Sequence, residues 1–195
     1  MAKLYFKYGA MGSSKTANAL MTEYNYREKH YNTLLVKPET DTRDGERIIK
    51  SRIGLQRECI LIHELLEMDK SELSKYDVII VDEAQFLSKE EVDFLSDIVD
   101  FQDITVICYG LRADFKNELF EGSKRLLAIS DHIEEIKTMC WCGAKAVCNV
   151  RYGKRGVIRS GSQVELGGND KYLSLCRKHF KLGLLSAEDV GRRKK

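Results

Sequence analysis

A short stretch rich in glycine and serine, followed by lysine and threonine, has the residue types that bind phosphate. Its residues are Gly9, Ala10, Met11, Gly12, Ser13, Ser14, Lys15 and Thr16. Backbone N–H groups of such a loop and of the helix after it point at phosphate oxygens, and the helix dipole favours negative charge. We predict that this loop binds ATP, that Lys15 contacts the β- and γ-phosphates, and that Thr16 offers its hydroxyl to Mg²⁺.

Ser14 departs from the usual pattern of such loops, in which glycine stands before the lysine. Glycine adopts a positive φ without strain and lets the backbone approach a phosphate closely. If the same geometry is kept here, serine carries a conformational cost. The alternative is an ordinary turn before a helix, but a Lys-Thr pair at the helix start after a strand favours a phosphate loop.

Two carboxylates, Asp82 and Glu83, directly follow the apolar run 78–81. Ligands of α/β sheets gather at the carboxyl ends of the strands. Asp82 is therefore predicted to hold Mg²⁺, and Glu83 to take a proton from an attacking hydroxyl or water. Without the phosphate loop, a solvated strand end with two surface acids would be an equally good interpretation. Two functions fit at this point: a kinase acting on an alcohol, and an ATPase of the RecA type that activates water.

Three cysteines and one histidine form two pairs with metal-ligand character, Cys140 with Cys142 and Cys176 with His179. Three thiolates and one imidazole suit a structural, tetrahedral Zn²⁺. The single residue between Cys140 and Cys142 is a tighter spacing than usual, and Cys148 is a possible substitute ligand. Buried free cysteines are the alternative interpretation; for Cys59 and Cys108, in apolar runs, it is the preferred one.

Alternating apolar runs and helical patterns predict the elements that position these residues. The predicted strands are 4–8, 33–36, 59–62, 78–81 and 104–108, and the predicted helices are 16–31 and 90–99. Uniformly apolar strands separated by helices favour an α/β fold with a parallel sheet. After about residue 136 glycine and cysteine become frequent. We therefore predict a nucleotide-binding domain over 1–136, a zinc-binding subdomain over 137–182 and a basic tail over 183–195.

Composition narrows the class of protein further. The 195 residues carry a formal net charge of +2, which gives no electrostatic reason to expect a nucleic-acid or membrane surface. No apolar run approaches the roughly 20 residues of a membrane span, and the first residues do not form a signal peptide. We expect a soluble, cytoplasmic protein that binds neither membrane nor nucleic acid.

Several longer motifs, spread from Lys3 to about Lys181, resemble the thymidine kinase family that carries a zinc subdomain. They are GAMGSSKT at Gly9, KPETDTRDG at Lys37, DEAQF at Asp82, YGLRADF at Tyr109, LFEGSKRLL at Leu119, CWCG at Cys140 and GGNDKYLSLCRKH at Gly167. The resemblance implies a RecA-like P-loop parallel sheet with a small C-terminal zinc-binding lasso subdomain. It also implies a homotetramer, with inhibition by the end product dTTP.

The resemblance also implies roles for individual residues. Glu83 matches the acceptor of the nucleoside 5′-hydroxyl proton, and Asp82, Ala84 and Gln85 belong to the nucleotide site. Asp41 and Arg43 match the acid and the arginine that approach metal and phosphates. The nucleoside site would be formed by Met11, Phe86, Leu111, Phe115, Gln163, Val164, Glu165, Leu166, Gly167, Gly168 and Tyr172.

Taken without the resemblance, these residues have simpler interpretations. Phe86, Leu111 and Phe115 would be core residues, Arg43 a surface charge and residues 167–170 a hairpin turn. With the resemblance, the predicted reaction is transfer of the γ-phosphoryl group of ATP to the 5′-hydroxyl of thymidine. The predicted cofactors are Mg²⁺, bound together with ATP, and a structural Zn²⁺. The alternative function is an ATPase module whose zinc ribbon binds nucleic acid.

Overall fold

The structure, a computed structural model, describes residues 1–40, 45, 47–154, 156–163 and 171–192. The strands are β1 (Leu4–Tyr8), β2 (Thr33–Lys37), β3 (Ile48–Lys50), β4 (Gln56–Glu58), β5 (Ile60–Leu61), β6 (Val78–Val81), β7 (Thr105–Gly110), β8 (His132–Glu135), β9 (Thr138–Met139), β10 (Lys145–Ala146), β11 (Cys148–Gly153), β12 (Gly156–Ile158) and β13 (Tyr172–Leu175). The helices are α1 (Lys15–Arg27), α2 (Ile62–Glu67), α3 (Lys70–Leu73), α4 (Lys89–Gln102), α5 (Glu121–Ile129), α6 (Arg177–Leu182) and α7 (Ala187–Arg192), and Ala84–Phe86 forms a short 3₁₀ helix.

Six parallel strands form the central sheet, in the order β5-β2-β6-β7-β1-β8. The strand before the phosphate loop, β1, and the strand before the acidic pair, β6, are separated by β7 alone. Because all strands are parallel, their carboxyl ends lie at one edge, and the phosphate loop and Asp82 both follow at that edge. The predicted RecA-like α/β fold is confirmed.

The sheet is buried on both faces, which explains why its central strands are uniformly apolar. Successive side chains of a strand point to opposite faces. Ile79 and Val81 belong to one core cluster, together with side chains of α2, α4 and α5. Val78 and Ile80 belong to the second cluster, with Ala19 and Leu20 of α1. All four residues of β6 are buried, so the start of the acidic segment is fixed from both sides.

The second part of the described chain is a small antiparallel lobe. It contains the hairpin β9–β10 and the three-stranded sheet β12-β11-β13, followed by α6. Its core is formed by Cys140, Ala146, Cys148, Val150, Leu175, Cys176 and Phe180. The division at residues 136 and 182 remains a prediction, but Leu184 is also buried and Leu185 packs against this core. Packing on the lobe therefore continues past residue 182.

Most predicted elements match the observed ones to within a few residues at each end, and two end or begin early for a visible reason. Helix 16–31 is observed as Lys15–Arg27, and His30 has a positive φ of 65° that no α-helix contains. Strand 59–62 is observed only as Ile60–Leu61, because Ile62 already begins α2. The β3–β4 hairpin and the edge strand β8 were not predicted, since neither has a continuous apolar run. Among the described residues, no helix is long and apolar enough to cross a membrane.

Candidate active site

The predicted phosphate loop lies between β1 and α1, as its sequence required. The backbone N–H of Gly9 donates to the carbonyl oxygen of Gly110 at 3.2 Å, which fixes the loop to the end of β7. The ammonium group of Lys15 turns back over the loop and lies 3.1 Å from the carbonyl oxygen of Ala10. A lysine in this position places a positive charge at the helix N-terminus, where anions already bind favourably.

Ser14 and Glu83 both have left-handed backbones, with φ of 60° and 52°. Such conformations are uncommon for residues other than glycine and concentrate at functional sites. At Ser14, the N-cap residue of α1, the structure therefore keeps the geometry that glycine usually provides in such loops. Glu83 turns the chain from the end of β6 into the 3₁₀ helix, of which it is the N-cap residue.

The two halves of the predicted Mg²⁺ site meet in the structure. The side chain of Thr16 hydrogen-bonds to the carboxylate of Asp82, so the end of the phosphate loop and the end of β6 are in contact. Burial, reinforced by the negative charge of Glu83, raises the pKa of Asp82 to about 7. A buried carboxylate of this kind gains strongly from a cation bound beside it.

Gln85 links the acidic segment to the loop after β7. Its Nε2 donates to Glu83 Oε2 at 2.5 Å, and its Oε1 accepts from the backbone N–H of Leu111 at 2.9 Å. Gln85 reaches this position because Gly110 has no side chain: a Cβ there would lie 2.9 Å from Gln85 Oε1 and 3.0 Å from the Gln85 nitrogen. The orientation of Glu83 therefore depends on Gln85 and, through Gln85, on Gly110 of β7.

Four residues predicted for the nucleoside base lie in the described parts of the sheet domain, and Leu111 is hydrogen-bonded to Gln85. Leu111 and Met11 are partly buried, and Phe115 is almost fully buried. Phe86 packs edge-on against Phe120, with 5.7 Å between the ring centroids.

Two residues of the predicted lasso fall in the described parts of the chain. The Gln163 amide donates to Asp114 Oδ2 at 3.2 Å, and the Tyr172 hydroxyl accepts from Arg151 Nε at 2.8 Å. The other predicted site residues lie outside the described residues; they are Asp41, Arg43, Val164, Glu165, Leu166, Gly167 and Gly168.

The four predicted metal ligands come together in the lobe. One ligand atom from each of Cys140, Cys142, Cys176 and His179 lies within 4.8 Å of the others. His179 Nδ1 is 3.4 Å from both Cys140 Sγ and Cys176 Sγ. Tetrahedral Zn–S bonds of about 2.3 Å place ligand atoms nearly this far apart. The cluster could therefore hold zinc, and Cys148 is not one of its members.

The tight spacing of Cys140 and Cys142 is accommodated by a turn. The N–H of Cys140 donates to the carbonyl oxygen of Ala144 at 2.8 Å, and Gly143 has a φ of 84°. Burial disfavours a Cys140 thiolate, but backbone N–H groups of Cys142 and Cys176 and the ring of His179 outweigh it, lowering the pKa of Cys140 to about 6. A site that favours thiolate is the kind that binds Zn²⁺. Trp141 stacks on His179, with 4.2 Å between ring centroids, and fixes the ring orientation.

Asn149 was not predicted as a functional residue, yet it joins the lobe to the phosphate loop. Its Oδ1 accepts from the N–H of Met11 at 2.8 Å, and its Nδ2 donates to the carbonyl oxygen of Ala113 at 2.7 Å. Arg151, two residues further along β11 and so on the same face of the strand, was missed as well. The two hydrogen bonds of Asn149 join residues that are far apart in the chain, and no local motif indicates them.

Lys37 is a third residue that the sequence analysis did not select. Its side chain is fully buried, and its Nζ donates to the carbonyl oxygens of Gly45 at 2.7 Å and Ile48 at 3.0 Å. It thereby fixes the chain directly after the stretch that contains Asp41 and Arg43. The sequence does carry a signal for this role, since Lys37 directly follows an apolar run. A lysine that is buried with such a run needs acceptors for its ammonium group.

The strand before the phosphate loop and the strand before the Asp82-Glu83 pair are separated by one strand, and Asp82 is buried. This arrangement defines the protein as a RecA-like nucleotide-binding protein with an appended Cys₃His lobe. The model of the family described as thymidine kinase matches residues 2–180. A thymidine kinase of Haemophilus influenzae is 49% identical over 187 residues, covering 93% of this chain and 97% of the relative. One of Zymomonas mobilis is 48% identical, covering 92% and 96%. The chain belongs to the thymidine kinase family.

A solved structure also resembles the fold. The structure of Bacteroides Pif1 bound to ssDNA matches with a TM-score of 0.44 and 14% identity, and the match covers 69% of this chain and 38% of that one. A likeness this distant carries no information about activity.

Proposed function

We propose that the protein transfers the γ-phosphoryl group of ATP to the 5′-hydroxyl of thymidine and so forms dTMP. The observation that carries this proposal is the contact between Thr16 of the phosphate loop and Asp82, with Glu83 as the following residue. Together with family membership, this contact supports a site in which a phosphate-binding loop, a metal-binding acid and a general base act at one edge of the sheet.

Positioning and charge neutralisation supply most of the catalysis in phosphoryl transfer. Lys15 neutralises charge on the β- and γ-phosphates, and Asp41 and Arg43 act on the metal and phosphates from the stretch after β2. Glu83 takes the proton of the 5′-hydroxyl as the hydroxyl oxygen attacks phosphorus. The hydrogen bond from Gln85 holds the Glu83 carboxylate in one orientation. A fixed orientation suits a general base that accepts a proton from one defined hydroxyl group.

Thr16 and Asp82 are the groups that would hold Mg²⁺, which screens the phosphate charges when bound. The raised pKa of Asp82 supports this assignment, because a nearby cation relieves the cost of a buried carboxylate. The nucleotide contacts are completed by the loop residues Gly9 to Thr16 and by Ala84 and Gln85.

The lobe binds structural Zn²⁺ through Cys140, Cys142, Cys176 and His179. All four coordination positions come from the protein, so no position is left for a substrate or water. When bound, the metal would hold the β9–β10 turn against the start of α6. Since β11 and β13 lie in the same lobe, it would stabilise the scaffold that carries Asn149, Arg151 and Tyr172.

The nucleoside binds between the phosphate-loop side and the lobe, against Met11, Phe86, Leu111 and Phe115, with Gln163 and Tyr172 on the lobe side. The family resemblance adds residues 164–168 to the groups that bind it. Support comes from the hydrogen bonds by which Asn149 and Gln163 join the lobe to Met11, Ala113 and Asp114.

As further proposals from the family, the protein assembles as a homotetramer and is inhibited by dTTP. None of the six cysteines forms a disulfide, which supports a reducing, cytoplasmic location.

The test is an assay of deoxynucleosides and polynucleotides with ATP and Mg²⁺. ADP formation should require thymidine, should produce dTMP in equal amount, and should not respond to single-stranded DNA or RNA. ATP turnover that depends on a polynucleotide and not on a nucleoside would replace the kinase with the ATPase alternative.

A further inference from the structure

Arg151 is a buried charged residue to which the proposed mechanism gives no role. It lies on β11 of the lobe and only 3% of its surface is exposed. Burying a guanidinium group is costly unless hydrogen bonds and other favourable contacts compensate. Its contacts therefore indicate what the residue does.

Three of the residues that Arg151 contacts were predicted to belong to the nucleoside site. The guanidinium carbon lies 4.0 Å from the ring centroid of Phe115 and 5.2 Å from that of Tyr172. Nε donates to the Tyr172 hydroxyl at 2.8 Å, and Nη2 donates to the carbonyl oxygen of Gln163 at 3.4 Å. One side chain therefore connects the loop after β7, the end of the 156–163 segment and the start of β13.

We infer that Arg151 is a positioning residue for the nucleoside: it fixes Phe115, Gln163 and Tyr172 relative to one another before the substrate binds. The inference rests on the proposed function, because it takes these three residues as the nucleoside side of the site. Arg151 itself need not touch the substrate. Its effect is to hold the pocket in its binding shape, which removes an ordering cost from the binding step.

The chemistry of arginine explains why this residue type stands here. A guanidinium group is planar, so it stacks on the Phe115 ring while its N–H groups donate sideways to Tyr172 and Gln163. A lysine ammonium could contact one of these partners but could not stack on a ring and donate to two acceptors in fixed directions.

The central experiment is Arg151→Met, which keeps most of the side-chain volume and removes the charge and all donors. The KM for thymidine should rise roughly ten- to hundredfold, because charge-assisted hydrogen bonds contribute about that factor to an equilibrium constant. The KM for ATP should change little, since no contact of Arg151 described above involves the phosphate loop. If Arg151 only stabilised the fold, the variant would be less stable, but the KM for thymidine would not rise more than the KM for ATP.

The chain offers a comparison variant in the same lobe, Arg159→Met. Arg159 also lies over an aromatic ring, at 4.8 Å from the Phe180 centroid, and donates to the carbonyl oxygen of Phe180 at 2.5 Å. It is exposed and contacts the zinc-bearing helix instead of the predicted pocket. Arg159→Met should leave both KM values unchanged. Zinc content and the fluorescence of Trp141, the single tryptophan, report whether the lobe stays folded in each variant.

Milder variants keep the inference testable if Arg151→Met does not fold. Arg151→Lys and Tyr172→Phe should each raise the KM for thymidine without raising that for ATP. Tyr172→Phe should add little on top of Arg151→Met, since the hydrogen bond it removes is already lost. The inference is wrong if the two effects multiply, or if the variants leave the KM for thymidine unchanged or raise both KM values equally. If the wild-type protein does not phosphorylate thymidine at all, it is the proposed function that fails.

Discussion

Glu83 combines an unusual backbone with a held side chain, and the combination indicates function. A positive φ at a glutamate is unfavourable, and the carboxylate is restrained by Gln85, itself fixed to the loop after β7. A residue needed only for solubility would have no reason to occupy this conformation. The strain is maintained by buried β6 on one side and the 3₁₀ helix on the other.

Glu83→Gln should keep both substrates bound and lose most turnover. The amide has nearly the same shape but cannot accept the hydroxyl proton, and general bases typically contribute about 10²–10⁴-fold. Initial rates at saturating ATP and thymidine measure the loss. Glu90→Gln, at an exposed position of α4, is the control and should leave the rate unchanged. Near-normal turnover in Glu83→Gln would remove this residue from the mechanism.

Ser14→Gly should be tolerated and should leave ATP affinity unchanged or increase it. Glycine adopts the observed φ of 60° without the cost that serine carries. Isothermal titration with a non-hydrolysable ATP analogue measures the effect. His30→Gly relieves a similar φ of 65° far from the loop and should not change ATP binding. A large loss of affinity in Ser14→Gly would mean that the serine hydroxyl contacts the nucleotide.

Asp82→Asn should abolish activity yet stabilise the free protein, more so at pH 8 than at pH 5. The folded-state pKa of Asp82 lies above its unfolded value, so the wild type loses stability as pH rises through the folded pKa, at about 1.4 kcal/mol for each unit of pKa difference. The amide does not titrate. Thermal unfolding of both proteins without nucleotide across this pH range is the measurement. If the stability difference between Asp82→Asn and wild type did not change with pH, ionisation of Asp82 would not destabilise the folded protein as expected.

At the scale of elements, the Cys₃His lobe is a group of short strands around a small core. Strands of two to six residues bury little apolar surface, and α6 has six residues. Short isolated elements of this kind are marginal without a staple. The ligand cluster joins the β9–β10 turn to α6, which are the two ends of the lobe. Metal binding and folding of the lobe are therefore expected to be coupled.

Cys176→Ser should lose tightly bound zinc, and wild type should contain one zinc per chain. The lobe should unfold more than the sheet domain, because the sheet has its own core of residues on both faces. Metal analysis measures occupancy, and Trp141 fluorescence follows the lobe, since its indole stacks on the ligand His179. Cys148→Ser is the matched control, a buried cysteine of the same core outside the ligand cluster. Full zinc occupancy in Cys176→Ser would show that the ligand set is wrong.

At the scale of the whole molecule, the site forms between two parts of the chain that fold around separate cores. The sheet domain supplies the phosphate loop and acids, and the lobe contributes Asn149, Arg151, Gln163 and Tyr172. Hydrogen bonds from the lobe reach Met11, Ala113 and Asp114. Met11 belongs to the phosphate loop, so the lobe contacts this loop as well as the segment 113–114 after β7.

Selection of thymidine over deoxycytidine should come mainly from backbone groups near residues 163–168. Thymine presents an N3–H donor between two carbonyl acceptors, whereas cytosine presents a bare N3 beside an amino donor. A backbone segment matched to thymine would oppose like groups to cytosine, at about 1–3 kcal/mol for each unpaired polar group. Gln163→Ala should change selectivity little, because this side chain already bonds Asp114. Competition assays with deoxycytidine measure the selectivity ratio.

Two outcomes would change this account of base selection. If Gln163→Ala let deoxycytidine compete equally, the side chain and not the backbone would discriminate between the bases. Deleting two residues from 164–170 should abolish thymidine binding and spare ATP binding. Loss of both ligands together would mean that the lobe supports the ATP side as well.

The sequence by itself determined the features whose residues are close together in the chain. The phosphate loop, the acidic pair at the end of β6 and the two ligand pairs are motifs of eight residues or fewer, and local geometry dictates their spacing. The parallel sheet followed from apolar runs, since strands buried on both faces need no polar residues. The motif resemblance added the substrate and the roles of scattered residues, which composition and periodicity alone did not indicate.

The tertiary structure decided which distant residues meet. Asn149 bonds Met11 across 138 positions, and Arg151 collects Phe115, Gln163 and Tyr172 from three segments. Neither residue belongs to a recognisable local motif, so the sequence around them does not indicate these contacts. The end of α1 at Arg27 and the turn at Ser14 were likewise set by backbone conformations that residue type only weakly constrains. Such contacts depend on how strands and lobe pack together, and packing is a property of the whole chain rather than of any local pattern.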